Sequence, residues 1–145
     1  YASQFNQCLD LNTATLTLTI PHRVKNHSVY VRNKLKFWYQ QLAADFIPKR
    51  VEQLQAITKL NPTSVELKMF KSRWGCCYRS GKVIINPMLM GAPDWVIDCV
   101  IIHELCHLTH MNHSKAFWQL NKVHCACCSD TKAWLKQHGL SLYLN

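Results

Sequence analysis

The sequence predicts an α+β domain in which a largely apolar helix carries a metal-binding motif and packs on a small sheet. Three observations predict it. An apolar segment beginning near Asp94 contains His103-Glu104-Leu105-Cys106-His107. Two stretches, 65–70 and 82–86, read as short strands on either side of a turn. Long stretches before and after them repeat apolar residues at three and four, as helices do.

At 145 residues the chain predicts one domain, 1–145, with an N-terminal strand segment over 1–27 and the core over 28–145. An apolar fraction of 48% argues against disorder. No run of about 18 apolar residues is present, so no membrane span is expected. The chain opens at Tyr1 without a charged start and apolar run, so no signal peptide is visible. The net charge of +9 admits nucleic acid or an anionic substrate as partner, yet the lysines and arginines are dispersed rather than blocked. Charge alone is thin support for a nucleic-acid partner. The eight cysteines (Cys8, Cys76, Cys77, Cys99, Cys106, Cys125, Cys127 and Cys128) are read as thiols. Cys99 and Cys106 fall inside the apolar helix, where a thiol behaves as a small hydrophobe. This reading implies a reducing, cytoplasmic setting.

Residues 13–20 alternate threonine with apolar residues, the period-two pattern of a strand, and Pro21 ends it. A lone strand is not stable, so it must pair. From 28 to about 60 the pattern is helical, with Val31, Leu35, Trp38, Leu42 and Phe46, then Val51, Leu54 and Ile57, on one stripe. Pro48 either starts a second helix or kinks one long helix. Asn61-Pro62 closes the segment. A hairpin is expected across 79–82, where Ser80-Gly81 supplies turn chemistry. Gly91-Ala92-Pro93-Asp94 reads as a helix start, with Trp95, Cys99, Ile102 and Cys106 as the apolar stripe that follows. Ser114 caps a further helix over 115–124 with Phe117, Leu120 and Val123 inward. A last helix over about 131–138 carries Trp134 and Leu135 and stops at Gly139.

His103 and His107 are spaced i, i+4, one turn apart on one face of a helix. Two imidazoles so placed can bind one zinc ion, and Glu104 between them can take a proton from an activated water. Catalytic zinc takes three protein ligands, and His110 and His113 compete for the third place. His110 on a continued helix would leave three ligands nearly collinear along the axis. A helix stop near Met111-Asn112 would swing His113 back over the metal, so His113 is favoured and His110 is left at the rim. His124 with Cys125, Cys127 and Cys128 is a second metal candidate. Neighbouring cysteines chelate poorly, so unligated thiols are preferred there.

Ser72-Arg73-Trp74-Gly75-Cys76-Cys77, Ile84-Ile85-Asn86-Pro87 and the run from His103 to Trp118 together resemble the YgjP-like metallopeptidase family. The members carry S-R-W-G-S-C, a short strand ending in Asn, and H-E-L-x-H-x-x-x-x-N-H-S-x-x-F-W. More distantly, the chain also resembles the SprT-type metalloproteases that act at DNA. The resemblance implies a zincin-like fold, with a small antiparallel or mixed sheet on the H-E-x-x-H helix and further helices toward both termini. It also implies His113 as third ligand and a larger β-rich N-terminal segment, shortened in this chain.

The expected function is zinc-dependent hydrolysis, with one Zn²⁺ on His103, His107 and His113, Glu104 as general base, and a peptide or protein as substrate. Residues 82–86 are the candidate edge strand for an extended peptide. Arg73 and Asn86 are candidates to position substrate, or equally to hold the hairpin through structural hydrogen bonds. Two alternatives stand beside it. One is hydrolysis of a nucleoside triphosphate, and the other is a DNA- or protein-binding module. The intact Glu104 argues against the second.

Overall fold

The computed structural model describes residues 7–10, 15–126 and 128–142. The architecture is α+β, as expected. In chain order it comprises β1 (Gln7–Asp10), β2 (Thr15–Leu18), α1 (His27–Thr58), β3 (Ser64–Leu67), β4 (Gly75–Cys77), β5 (Lys82–Ile85), a 3₁₀ turn (Pro87–Gly91), α2 (Asp94–Cys106), α3 (Lys115–His124) and α4 (Cys128–Leu142). The threonine-rich strand β2 finds its partner in β1, antiparallel, with Gln7 opposite Leu18.

The helix α1 starts at Asn26, whose side chain accepts from Val29 N–H, and ends where Lys59 takes a left-handed φ of 62°. It is continuous through Pro48. That proline and Ala44, whose carbonyl loses its helical donor, are both exposed, so the freed group is open to solvent. The buried stripe is Ala43, Ile47, Val51, Leu54 and Thr58. The expected stripe is corrected in both halves. Val31, Leu35, Trp38, Leu42 and Phe46 are only partly buried, and Ile57 is 69% exposed, because it lies one residue off the row set by Val51 and Leu54.

The main sheet has the order β3-β5-β4. β3 runs parallel to β5, with Val65 opposite Val83, and β4 runs antiparallel to it, with Cys76 opposite Ile84. The β4–β5 turn closes through Gly81 N–H to the Tyr78 carbonyl, with Gly81 at φ 90°. β5 is therefore the central strand and not an edge, which corrects its assignment as the strand available to a peptide. Its Val83, Ile84 and Ile85 are buried, as a strand covered on both faces requires. The exposed edge nearest the histidines is β4.

Asn86 holds the loop that leads into β4. It is fully buried; its Nδ2 donates to the carbonyls of Phe70 (3.1 Å) and Arg73 (2.9 Å), and its Oδ1 accepts from Met88 N–H (3.0 Å). Asn86→Ala is expected to cost about 3 kcal/mol, since it leaves three backbone groups, one buried and two part-buried, without this partner. Urea unfolding measures it.

The helix α2 is the hub, in contact with α1, α3, α4, β4 and β5. Nine of its 13 residues are buried, so its apolar surface runs nearly all round rather than along one stripe. Trp95, expected inward, is 40% exposed. Arg50 on α1 grips Asp98 through two short bonds, Nε at 2.7 Å and Nη2 at 2.6 Å. On α3, Phe117 is buried as expected, but Val123 is 77% exposed and Asn121 takes the inner position. The helix α4 runs through Gly139 rather than ending there. A Cβ at Gly139 would stand 3.3 Å from the Trp74 ring, so this glycine serves close packing instead of a helix stop.

Cys99 on α2 and Cys125 at the end of α3 are paired as a disulfide, with Cα atoms 6.0 Å apart. This corrects the reading of both as thiols, and the inference of a reducing compartment loses that support. Cys125 is thereby withdrawn from a second metal site, and Cys127 lies outside the described residues. No helix among the described residues is long and apolar enough to cross a membrane.

Candidate metal centre

Three imidazoles converge at the end of α2. His113 Nε2 stands 3.1 Å from His103 Nε2 and 3.2 Å from His107 Nε2. Among the described residues these three form the group able to hold a metal ion. A tetrahedral ion bound to nitrogen at about 2.0–2.1 Å has neighbouring ligands about 3.4 Å apart, so the spacing fits.

The turn after α2 makes this possible. The helix ends at Cys106, earlier than the stop expected near Met111-Asn112. His107, Leu108 and Thr109 N–H close i, i+3 bonds onto Glu104, Leu105 and Cys106. The chain then reverses, and His113 returns over the helix end. His110 contributes its carbonyl, to which His107 Nδ1 donates at 2.9 Å. A carbonyl only accepts, so the proton of a neutral His107 sits on Nδ1 and its Nε2 lone pair faces the cluster.

The helix α3 packs on the cluster. Ser114 accepts from Phe117 N–H at 3.2 Å and so sets the start of the helix. Phe117 stacks on His107 with centroids 4.4 Å apart, and it makes T-shaped contacts with His103 and His113, each at 5.0 Å. Trp118 stacks on His113 at 5.6 Å. Sequence reasoning placed Phe117 inward but missed this contact with the histidines.

Burial and the neighbouring rings push the His103 pKa down to about 4, and burial lowers His107 as well. Depressed values keep the His103 and His107 nitrogens unprotonated, so at these two rings protons compete with a metal only in acid. Bound metal is expected to survive dialysis at about pH 6, a little below the ordinary histidine pKa of about 6.5. It is expected to be lost as the pH falls toward about 4. Metal analysis across that series tests this.

Glu104 is 7% exposed. Burial pushes its pKa up to about 7, and the nearby Arg73 charge pulls it back only in part. It fits beneath β4 because residue 75 is glycine. A Cβ there would stand 2.9 Å from Glu104 Cγ and 3.1 Å from the Ile84 carbonyl oxygen. Glu104 and the three histidines share a cavity of about 690 Å³ with Arg73, Gly75 and Trp118. Asn86 does not line it, and its polar atoms are occupied by backbone. Its tentative placement against substrate thus gives way to a role in shaping the wall. Cys77 lines the cavity too, but burial and the Glu104 charge push its pKa to about 11, so it remains a thiol near neutral pH.

An α+β domain with three histidines and a buried carboxylate at one cavity has the make-up of a metallohydrolase. The YgjP-like metallopeptidase domain matches residues 8–138, and the chain belongs to that family. It is also 30% identical over 69 residues to the UTP pyrophosphatase of Escherichia coli (strain K12), covering 41% of this chain and 38% of that protein. Among solved structures it is similar to the metallopeptidase zymogen of Pyrococcus abyssi abylysin, with a TM-score of 0.48 and 20% identity over 53% of this chain and 77% of that one.

Proposed function

We propose that the protein is a zinc-dependent hydrolase acting on peptide bonds, with His103, His107 and His113 as metal ligands and Glu104 as general base. The observation that carries this reading is the convergence of three Nε2 atoms beside a buried carboxylate, in a cavity walled by an edge strand. A divalent ion held by His103, His107 and His113 would supply Lewis acidity there and would lower the pKa of a water to about 7. Glu104 then takes a proton from the attacking water and passes it to the leaving group. Burial raises its pKa in the metal-free protein, and a bound cation would draw it back down, which keeps the carboxylate ionised to accept a proton. β4 offers its outer edge to an extended chain by main-chain pairing. Arg73, on the cavity wall, is placed to meet a carbonyl oxygen or an anionic group.

A second reading keeps the site and changes the bond. Arg73 and Lys132 line the cavity, and among the described residues Glu104 is its one acidic group. That balance suits a polyphosphate, and one relative is named a UTP pyrophosphatase. Incubating the zinc-loaded protein with unfolded protein, peptides and nucleoside triphosphates separates the two. Appearance of new peptide termini supports the first reading, and phosphate or pyrophosphate release without them overturns it.

Gly75→Ala probes the placement of Glu104. The added methyl has the Ile84 backbone on one side, so the glutamate must move. Turnover is expected to fall about tenfold or more, because small displacements of a reacting group are costly. The metal content is expected to stay stoichiometric.

A further inference from the structure

The helix α3 is tied to α2 at both ends. His113, just before the Ser114 cap, meets His103 and His107, and Cys125, the cap at the other end, is bonded to Cys99. Phe117, Asn121 and Cys125 follow one another at the i, i+4 spacing, so they share one face of α3. Cys99, His103 and His107 repeat that spacing on α2. The two rows meet: Phe117 touches His103 and His107, Asn121 Nδ2 lies 4.0 Å from Cys106 Sγ, and Cys125 joins Cys99. The metal ligands stand at one end of this contact and the disulfide at the other.

The anchors of α3 are few. Over residues 115–125, Phe117, Asn121 and Cys125 are the buried ones. A ten-residue helix is marginal by itself in water, so its position depends on these contacts. Joining Cys125 to Cys99 removes freedom that an undocked α3 would regain, as any cross-link does. The bond therefore favours the arrangement in which Phe117 backs all three histidines.

We propose that the Cys99–Cys125 disulfide is a redox-sensitive clamp on the metal centre. Oxidised, it keeps α3 docked and the ligands gathered; reduced, it lets α3 loosen and metal affinity fall. On reduction the sulfur–sulfur bond breaks and each sulfur takes up one electron and one proton, while a dithiol reductant closes into its own disulfide. Both cysteines line a second cavity of about 300 Å³ between α1, α2 and the end of α3, and each is 5% exposed, so local opening there governs the access of a reductant. The link to metal affinity rests on the three-histidine reading; the hold on α3 does not.

The wild-type protein is prepared oxidised and reduced, with thiol counting to establish each state, beside Cys99→Ala/Cys125→Ala. Zinc affinity is read by competition against a metal indicator after the reductant is removed. Amide hydrogen exchange over 115–124 is followed in the metal-free protein. Reduction is expected to weaken zinc binding about tenfold, the lower end of what lost support around metal ligands costs. It is expected to speed exchange of the α3 amides by about tenfold or more. The double alanine variant, which lacks the two thiols that could themselves take zinc, is expected to match the reduced protein. Zinc affinities within about twofold in the oxidised and reduced protein overturn the proposal and leave the three-histidine reading standing. Unchanged exchange over 115–124 overturns it too. If exchange responds while neither state binds zinc, the clamp on α3 stands and the three-histidine reading fails.

Discussion

Glu104→Gln is expected to lower turnover by about 10²–10⁴-fold, the range in which a positioned general base contributes, while the metal stays bound. The substitution is isosteric, so the packing of the side chain under Gly75 persists and only the proton-accepting oxygen is lost. A second consequence follows from the raised pKa. In the metal-free protein Glu104 titrates at about 7 rather than near 4.5. Between those values the folded state holds a proton that the unfolded state has lost, so stability falls as the pH rises through that window. Glutamine removes this penalty. Above the window the metal-free variant is expected to be more stable than the wild-type protein by roughly 3 kcal/mol. Metal analysis, turnover assays and urea unfolding at several pH values test both parts. Turnover within about threefold of wild type, with metal retained, would remove Glu104 from the role of base.

Phe117→Ala is expected to cost about 3–5 kcal/mol, the usual loss for a large aromatic side chain in a core. Phe117 is fully buried and is the common wall behind His103, His107 and His113. Its removal frees the ligand rings to rotate, so metal affinity is expected to fall about 10–100-fold, as when the support around metal ligands is lost. Phe117→Leu separates the two effects. It retains most of the buried volume and should recover much of the stability. It has no flat face to stack on His107, and metal affinity should stay below wild type. Thermal unfolding with and without chelator, together with competition against a metal indicator, reads both. Equal metal affinity in wild type and Phe117→Ala would show that the ring only fills space.

Much of the molecule was legible where the signal is local. Asn61-Pro62 closed the first helical segment, Ser114 capped α3, Ser80-Gly81 turned the hairpin, and an apolar run announced α2. The failures are also physical. An apolar residue on an exposed helix flank looks like one in the stripe until the packing partner is known, which misplaced Ile57, Trp95 and Val123. Gly139 reads as a helix stop because glycine usually serves there; only the Trp74 ring lying across it reveals the other use. The sheet order was not legible, because a parallel β3–β5 pairing joins strands separated by an intervening hairpin arm, and period-two alternation does not say which strand lies in the middle.

The sequence by itself determined the chemistry of α2. Spacing of four sets His103 and His107 on one face, with Glu104 beside them, because the helix repeat fixes those directions before any tertiary contact forms. Tertiary structure decided everything that turns this motif into a site. The return of His113 depends on a turn earlier than the one expected. Phe117 and Trp118 reach the histidines only because α3 packs on α2. Glu104 finds its depth under β4 because Gly75 leaves room, and Gly75 is there because Asn86, from the end of the neighbouring strand, holds the loop before it. Cys99 meets Cys125 across 26 residues of sequence. Such contacts join distant segments, and the free energy that selects them comes from burial of the whole core, which no local pattern encodes.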